Sequence, residues 1–351
     1  MFFSKQITQW YTTHKRDLPW RNTKEAYPIW LSEIMLQQTR VDQGLPYFLK
    51  FLEHFPKVEN LAEATEEKVL KLWQGLGYYS RARNLHATAK YITENLNGEF
   101  PNTKDSLLQL KGVGDYTSSA IASFAFNEAT PVVDGNVNRV LSRYFGIDLP
   151  VNESAGQNLI KEKAIEVLDK KNPALHNQAI MEFGALQCKP KNPYCHICPL
   201  QSKCVAYQQG MVERLPVKIK KTKVQTRFLN YFVLIDPNQN TIVQQRKGKG
   251  IWENLFEFPV AEFSKKPKLI EVEKEMRSIF PIEISSTEKA NLKPVIHLLS
   301  HRKLIADFYI LKIQSLQKNT FQKNQKLLNL SELETVPVPV LMANFIKEYL
   351  L

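Results

Sequence analysis

Four cysteines stand in one short stretch, QCKPKNPYCHICPLQSKC, and nowhere else in the chain: Cys188, Cys195, Cys198 and Cys204, spaced C-x6-C-x2-C-x5-C. Four thiolates this near in sequence can close on a single soft centre, either a zinc ion or an iron–sulfur cluster. Structural zinc sites usually present two C-x2-C pairs, and here only Cys195 and Cys198 form one, so the spacing leaves both metals open. Two disulfides would suit a small secreted scaffold, whereas this chain has 351 residues and an amino terminus without the layout of a signal peptide. Reduced cysteines therefore predict a reducing, cytoplasmic compartment. His196, between two of the cysteines, reads as a solvated loop residue.

Two carboxyl groups offer a second chemistry. Glu33 lies in YPIWLSEIMLQQTRV, a helical run bounded by Ile29, Trp30, Ile34 and Leu36. Burial among those side chains would raise its pKa and make it a general acid near neutral pH. On the solvated face of the same helix it would be an ordinary surface glutamate. Asp134, in TPVVDGNVNRVLSRYFG, precedes a run whose apolar positions, Val137, Val140, Leu141, Tyr144 and Phe145, recur at helical spacing. It is placed to cap that helix, a role worth about 1 kcal/mol. The helix dipole and amide hydrogen bonds predict that it stays ionised. A protonated acid beside a fixed carboxylate suits the breaking of a glycosidic bond, in which one protonates the leaving group and the other stabilises the cationic sugar.

LKGVGDYTSSAIASFAF predicts a short helix over 105–110, a tight turn at Gly112-Val113-Gly114 and a second helix from Asp115. Two glycines let several N–H groups face outward at a helix N-terminus, which holds a phosphate without reading its base, and Lys111 adds charge. Thr117, Ser118, Ser119 and Ala120 permit close helix packing. Gln37, Gln38 and Thr39 form a polar patch fit either to contact bases or to cap the Glu33 helix. In GLGYYSRARNL, Leu76, Tyr78 and Tyr79 adjoin Arg81 and Arg83. An apolar wedge with aromatic rings and guanidinium groups can pry open a base stack, and the same tyrosines can equally face a core.

The elements that must position these groups are of two kinds. Residues 1–205 read as mostly helical and close on the cysteine loop. Residues 206–226 read as a basic linker, the stretch RLPVKIKKTKVQTR carrying six basic residues and no acid. Residues 227–351 read as a separate α+β domain, with strands at 228–236, 241–245 and 304–313, a turn at Pro237-Asn238 and a helix within 267–280. The net charge of +12 and pI near 9.3 invite an anionic partner, nucleic acid first. No apolar run is long enough to span a bilayer, so no membrane is expected.

Taken together, LKGVGDYT, VVDGNVNRV, WLSEIMLQQTRV and the cysteine loop resemble the helix–hairpin–helix DNA glycosylases, and within them the MutY-type adenine DNA glycosylases, over essentially the whole chain. The resemblance implies a 4Fe-4S cluster on the loop 188–204. It implies a monofunctional glycosylase of base excision repair that excises adenine mispaired with 8-oxoguanine, or with guanine, in double-stranded DNA. In the family pattern Glu33 corresponds to the acid that protonates adenine at N7, Asp134 to the carboxylate that stabilises the oxocarbenium ion, and Tyr116 and Asn136 to their supports. Gln38 and Tyr78, with Leu76 beside them, match positions that wedge or intercalate near the lesion. Thr39, Gly112 and Gly114 fall with them on the DNA side. Arg21 and Trp30, in LPWR and PIW, match the adenine pocket. Endonuclease III-like relatives carry a lysine where this chain has Tyr116. That amine forms a Schiff base with the sugar and cleaves the strand, whereas a phenol cannot, so little lyase activity is expected.

The later domain resembles the Nudix-like lesion-recognition domain of the same family. QQRKGKGIWENLFEFPVAE supplies Trp252, Glu257, Phe258 and Pro259 of its W…EFP signature. Only EVEKEMRSIF stands where a Nudix hydrolase carries its glutamate-rich, magnesium-binding helix, so pyrophosphatase activity is not expected. Ser300 and His301, in HLLSHRKL, match the recognition loop for 8-oxoguanine. Leu299 replaces its usual aromatic residue, and Lys111 a proline frequent in the hairpin. The resemblance further implies a monomer, associated with the nucleoid in a prokaryote.

Overall fold

The computed structural model describes residues 2–219, 224–316 and 324–351. The chain divides into two compact units, Met1–Glu63 with Asn84–Lys220, and Ala64–Arg83 with Lys221–Leu351. In chain order the helices before the strands are α1 (Phe2–His14), α2 (Ala26–Met35), α3 (Val41–His54), α4 (Val58–Glu63), α5 (Glu66–Trp73), α6 (Ser80–Asn95), α7 (Lys104–Leu107), α8 (Asp115–Phe126), α9 (Gly135–Phe145), α10 (Ser154–Val167), α11 (Pro173–Leu186) and α12 (Val205–Gln208).

The first unit is helical, as its periodicity predicts. The stripe read from 137 to 145 is the core face of α9, where Val137, Val140 and Leu141 pack with Ile7, Trp10, Ile160 and Phe183. Each such side chain contributes about 1.5–3 kcal/mol on burial. Helix α2 is buried on all sides rather than along one stripe, which marks a central helix. It packs against α8, whose Thr117, Ser118, Ser119 and Ala120 are all buried and small enough for close approach. The helix expected over 105–110 is only the single turn α7, begun by Thr103, whose hydroxyl accepts from Ser106 N at 3.3 Å. Tight turns, Leu110 N to Leu107 O and Val113 N to Leu110 O, both at 3.1 Å, then carry the chain to α8.

The second unit is α+β. Its strands are β1 (Gln225–Ile235), β2 (Asn240–Gln245), β3 (Phe256–Glu257), β4 (Val260–Phe263), β5 (Ser286–Lys289), β6 (Val295–Leu298), β7 (Arg302–Lys312) and β8 (Gln325–Asn329), with helices α13 (Leu269–Ile279) and α14 (Val340–Tyr349). One sheet runs β4-β1-β7-β5, with β6 also on β7, and the other runs β3-β2-β8. Strands β1 and β7 pair in parallel, from Gln225 opposite Arg302 to Ile235 opposite Lys312. Phe232, Leu234, Ile242, Val272, Met276 and Leu311 form the core between sheet and α13.

The boundaries differ from those expected in two places. Residues 64–83 lie within the expected helical domain 1–205 but pack with the later unit. Asn254 Nδ2 donates to Glu66 Oε1 at 2.7 Å, Arg83 to Glu253 O at 2.8 Å and Oε2 at 2.7 Å, and Val338 N to Gln74 Oε1 at 3.2 Å. Partners this distant in sequence leave no local periodic signal. The expected linker 206–226 is likewise docked over its first part. Leu215 is buried, Arg143 Nε donates to the carbonyls of Val212 and Leu215 at 2.9 and 3.1 Å, and Val151 N donates to Val217 O at 3.0 Å. Residues 220–223 of that linker lie outside the described residues.

Candidate active site

Glu33 occupies the last turn of α2 and is 8% exposed, which excludes the solvated-face reading. Its Oε2 accepts a hydrogen bond at 2.7 Å from the hydroxyl of Tyr116, the second residue of α8. Its pKa is raised from 4.5 to about 7: burial drives the rise, the Tyr116 hydrogen bond works against it, the neighbouring Asp134 adds to it and Arg21 opposes. The hairpin before α8 thus brings Tyr116 to the acid, and Thr88 Oγ1, donating to Lys111 O at 2.7 Å, anchors that hairpin. Gly112 has φ +79°, and a Cβ there would sit 2.7 Å from Asn84 Cβ, so only glycine fits. Gly114 is extended, with open space where a Cβ would be, and α8 has no side-chain cap at its N-terminus.

Asp134 is the N-cap of α9. Its Oδ1 accepts from Asn136 N at 2.8 Å and Val137 N at 2.7 Å, and its Oδ2 accepts from Asn136 Nδ2 at 2.6 Å. Arg139 donates to Asn136 Oδ1 at 2.8 Å, which fixes the direction of that amide. Gly184 on α11 allows this packing, since a Cβ there would lie 2.6 Å from Asn136 Cβ. The amide hydrogen bonds expected to keep Asp134 ionised are present, and they act against its burial. Burial raises its pKa above the ordinary value, although the Val137 and Asn136 donors oppose that rise. All three donors are N–H groups, so the capping contacts themselves favour the carboxylate.

Both carboxyl groups line one cavity of about 190 Å³, together with Trp20, Arg21, Thr39, Tyr116, Asn136 and Glu182. Of the two residues expected at the base pocket, Arg21 lines this cavity. Trp30 does not line it: it is wholly buried, edge-on to Phe100 with centroids 5.3 Å apart. Trp20, in the LPWR segment, lines it instead. Because α2 is buried on every side, its residue pattern does not reveal which face opens on the cavity. Gln38 has φ +57° just beyond α2 and lies off the cavity, while Gln37 Nε2 donates to Thr117 Oγ1 at 3.2 Å.

Sequence reasoning missed Glu182 altogether. Its Oε1 accepts from Arg16 N and Nε, each at 2.9 Å, and its Oε2 accepts from Arg16 Nη2 and Arg21 Nη2, each at 2.7 Å. Burial alone would raise its pKa, but these donors hold it at about 2. It anchors Arg21 at the cavity wall. Its partners Arg16 and Arg21 lie 166 and 161 residues away in sequence, so no local pattern pointed to it.

The second unit has its own cavity, of about 520 Å³, lined by Leu76, Tyr78, Tyr79, Trp252, Ser300 and His301 among others. Leu76 and Tyr79 are buried, so only Tyr78, 45% exposed, projects outward from the expected wedge. Its hydroxyl and Ser300 Oγ share a hydrogen bond. Ser300 and His301 sit in the turn between β6 and β7. The W…EFP signature is interior: Trp252 is buried, Glu257 pairs with Arg246 at 2.8 Å, Phe258 packs edge-on to Phe345, and Pro259 O accepts from Phe232 N at 2.8 Å.

None of Cys188, Cys195, Cys198 and Cys204 is in a disulfide, and each is partly buried. They lie within electrostatic reach of one another, and burial pushes up Cys195, Cys204 and, to about 12, Cys198. Thiol donors are the ligands an iron–sulfur centre takes, and such a centre would stabilise them as thiolates; among the described residues no three ligating side chains are gathered as a metal site.

Residues 31–162 match the family model of the HhH-GPD superfamily base excision DNA repair protein, and residues 230–348 match that of the NUDIX domain. Fold and site thus define a helix–hairpin–helix base-excision glycosylase with a Nudix-like second unit. The adenine DNA glycosylase of Buchnera aphidicola subsp. Schizaphis graminum is 39% identical over 270 residues, 77% of each chain. That of Buchnera aphidicola subsp. Acyrthosiphon pisum is 34% identical over 362 residues, 98% of each. That of Homo sapiens is 43% identical over 222 residues, covering 61% of this chain and 41% of its own. The chain belongs to the MutY-type adenine DNA glycosylases, enzymes that act on adenine in base excision repair. Among solved structures, a thermostable thymine-DNA glycosylase aligns with TM-score 0.55 and 28% identity over 59% of this chain and 95% of that one. An endonuclease III–DNA complex at 19% identity and TM-score 0.52, covering 60% of this chain and 95% of its own, shares the fold.

Proposed function

We propose that the chain excises adenine mispaired with 8-oxoguanine, or with guanine, from double-stranded DNA and leaves an abasic site in an uncut strand. The observation that carries this reading is the pair Glu33 and Asp134 on one small cavity, in contrasting surroundings. Glu33, near half-protonation at neutral pH, delivers its proton to N7 of the flipped adenine and makes the base a better leaving group. Asp134, gripped by three N–H donors, faces the positive charge that develops on the sugar as the N-glycosidic bond breaks. Tyr116 orients the acid and Asn136 the carboxylate. Tyr116 offers no amine for a Schiff base, which supports a monofunctional reaction.

The uncapped N-terminus of α8 beside Gly114 supports phosphate binding there. The contact between Tyr78 and Ser300 supports reading of the opposing lesion by the second unit. Cys188, Cys195, Cys198 and Cys204 would hold a 4Fe-4S cluster, which when bound ties the loop 188–204 together through metal–thiolate bonds.

A single-turnover assay with adenine opposite 8-oxoguanine, guanine or thymine tests the proposal. Free adenine is expected from the first two duplexes, with the strand intact until alkali is added. Absence of free adenine, or efficient borohydride trapping of a protein–DNA adduct, overturns it.

A further inference from the structure

Tyr78 is presented by an unfavourable turn. Gly75, Gly77 and Tyr78 have φ of +109°, +73° and +47°, and a left-handed backbone is costly for a tyrosine. Its ring is half exposed, so its own burial does not pin it. Arg81 is built around this turn. Its Nη2 donates to Leu76 O at 3.3 Å and Gly77 O at 3.2 Å, and its backbone N donates to Tyr78 O at 2.8 Å. The guanidinium carbon lies 5.4 Å from the ring centroid of Tyr78 and 5.4 Å from that of Trp73. Trp73 is wholly buried and donates from Nε1 to Gly77 O at 3.0 Å. One planar cation thus lies over both a fixed indole and an outward phenol while its Nη2 binds two carbonyls of the same turn. Burial lowers its pKa only to about 10, so it is charged at neutral pH.

We propose that Arg81 is a positioning residue, holding Tyr78 in its left-handed turn and thereby setting the ring and hydroxyl against Ser300 for duplex recognition. Its consequence for DNA rests on the reading of the Tyr78–Ser300 face as the lesion reader; its consequence for Tyr78 does not. Lysine is no full substitute, because an ammonium could donate to the two carbonyls but has no planar face to lay over the two rings.

The test uses the full chain labelled with 3-fluorotyrosine, the residue 78 signal being assigned by its loss in Tyr78→Phe. In Arg81→Met that fluorine resonance is expected to move toward the position of free 3-fluorotyrosine. Affinity for a duplex with adenine opposite 8-oxoguanine is expected to fall roughly tenfold, the scale of one base-stacking aromatic. The double variant Arg81→Met/Tyr78→Ala should bind no worse than Tyr78→Ala alone, since an effect exerted through Tyr78 then has nothing to act on. Should Arg81→Met fail to fold, Arg81→Lys is expected to show the same displaced resonance. An unmoved resonance, or losses that add in the double variant, overturns the proposal. A moved resonance with unchanged preference for 8-oxoguanine over guanine upholds the role of Arg81 and overturns the lesion-reader reading instead.

Discussion

Replacing Glu33 by glutamine should give an inactive protein that is more stable than its parent at alkaline pH. Burial raises the Glu33 pKa from 4.5 to about 7, so between those values the folded chain keeps a proton that the unfolded chain releases. The stability this proton contributes is fully present below about pH 4.5 and is lost as pH rises through about 7. The gap, at about 1.4 kcal/mol per pH unit, amounts to about 3 kcal/mol surrendered by pH 8. Glu33→Gln keeps the shape and an acceptor for Tyr116 without ionising, so it avoids that loss. For a unit of this size about 3 kcal/mol corresponds to roughly 6–12 °C in Tm. Thermal melts at pH 8 and pH 5 should show the variant above its parent at the first and nearly level with it at the second. Single-turnover adenine release should fall about 10²–10⁴-fold, with duplex binding retained. In the parent, release should decline about tenfold per pH unit above pH 7. Equal melting at pH 8, or robust excision by Glu33→Gln, would refute the assignment of a buried, proton-carrying acid.

Asp134→Asn should preserve the cap of α9, since asparagine also caps well, yet lower base release by about 10²–10³-fold or more; rates near those of the parent would remove it from the reaction. Glu182→Gln leaves Arg16 and Arg21 without their anion and should cost about 3 kcal/mol in urea melts at pH 7. Because the Glu182 pKa is held down at about 2, the contribution of this group is present above pH 4.5 and lost as pH falls toward 2, so parent and variant should converge in acid. Cys198→Ser should lose bound iron and visible absorbance and lower the Tm of the first unit; a full iron complement in that variant would show that Cys198 is not a ligand.

Much of the site was legible because its signals are local. The cap at Asp134 follows from an aspartate before an apolar stripe of period 3.6. The hairpin follows from two glycines between helical runs, although only Gly112 needs a left-handed backbone. The strands β1, β2 and β7 follow from short β-branched and aromatic runs bounded by turn residues. What failed to show was long-range. Trp30 was placed at the pocket by resemblance alone; α2 is buried on all faces, and only packing decides that Trp20 lines the cavity. Residues 64–83 looked like part of one helical run, yet their hydrogen-bond partners lie in the later unit.

By itself the sequence determined most of the elements, the four-thiol loop, the candidate acid and carboxylate, and the absence of an amine at Tyr116, because each depends on residue type and short spacing. Only the tertiary structure decided that Glu33 is buried against Tyr116, that Asp134 shares its cavity, that Glu182 holds the arginines at its wall, and that Tyr78 meets Ser300. Desolvation and convergence are properties of the packed chain. Both depend on which distant surfaces exclude water together, and no window along the sequence records that.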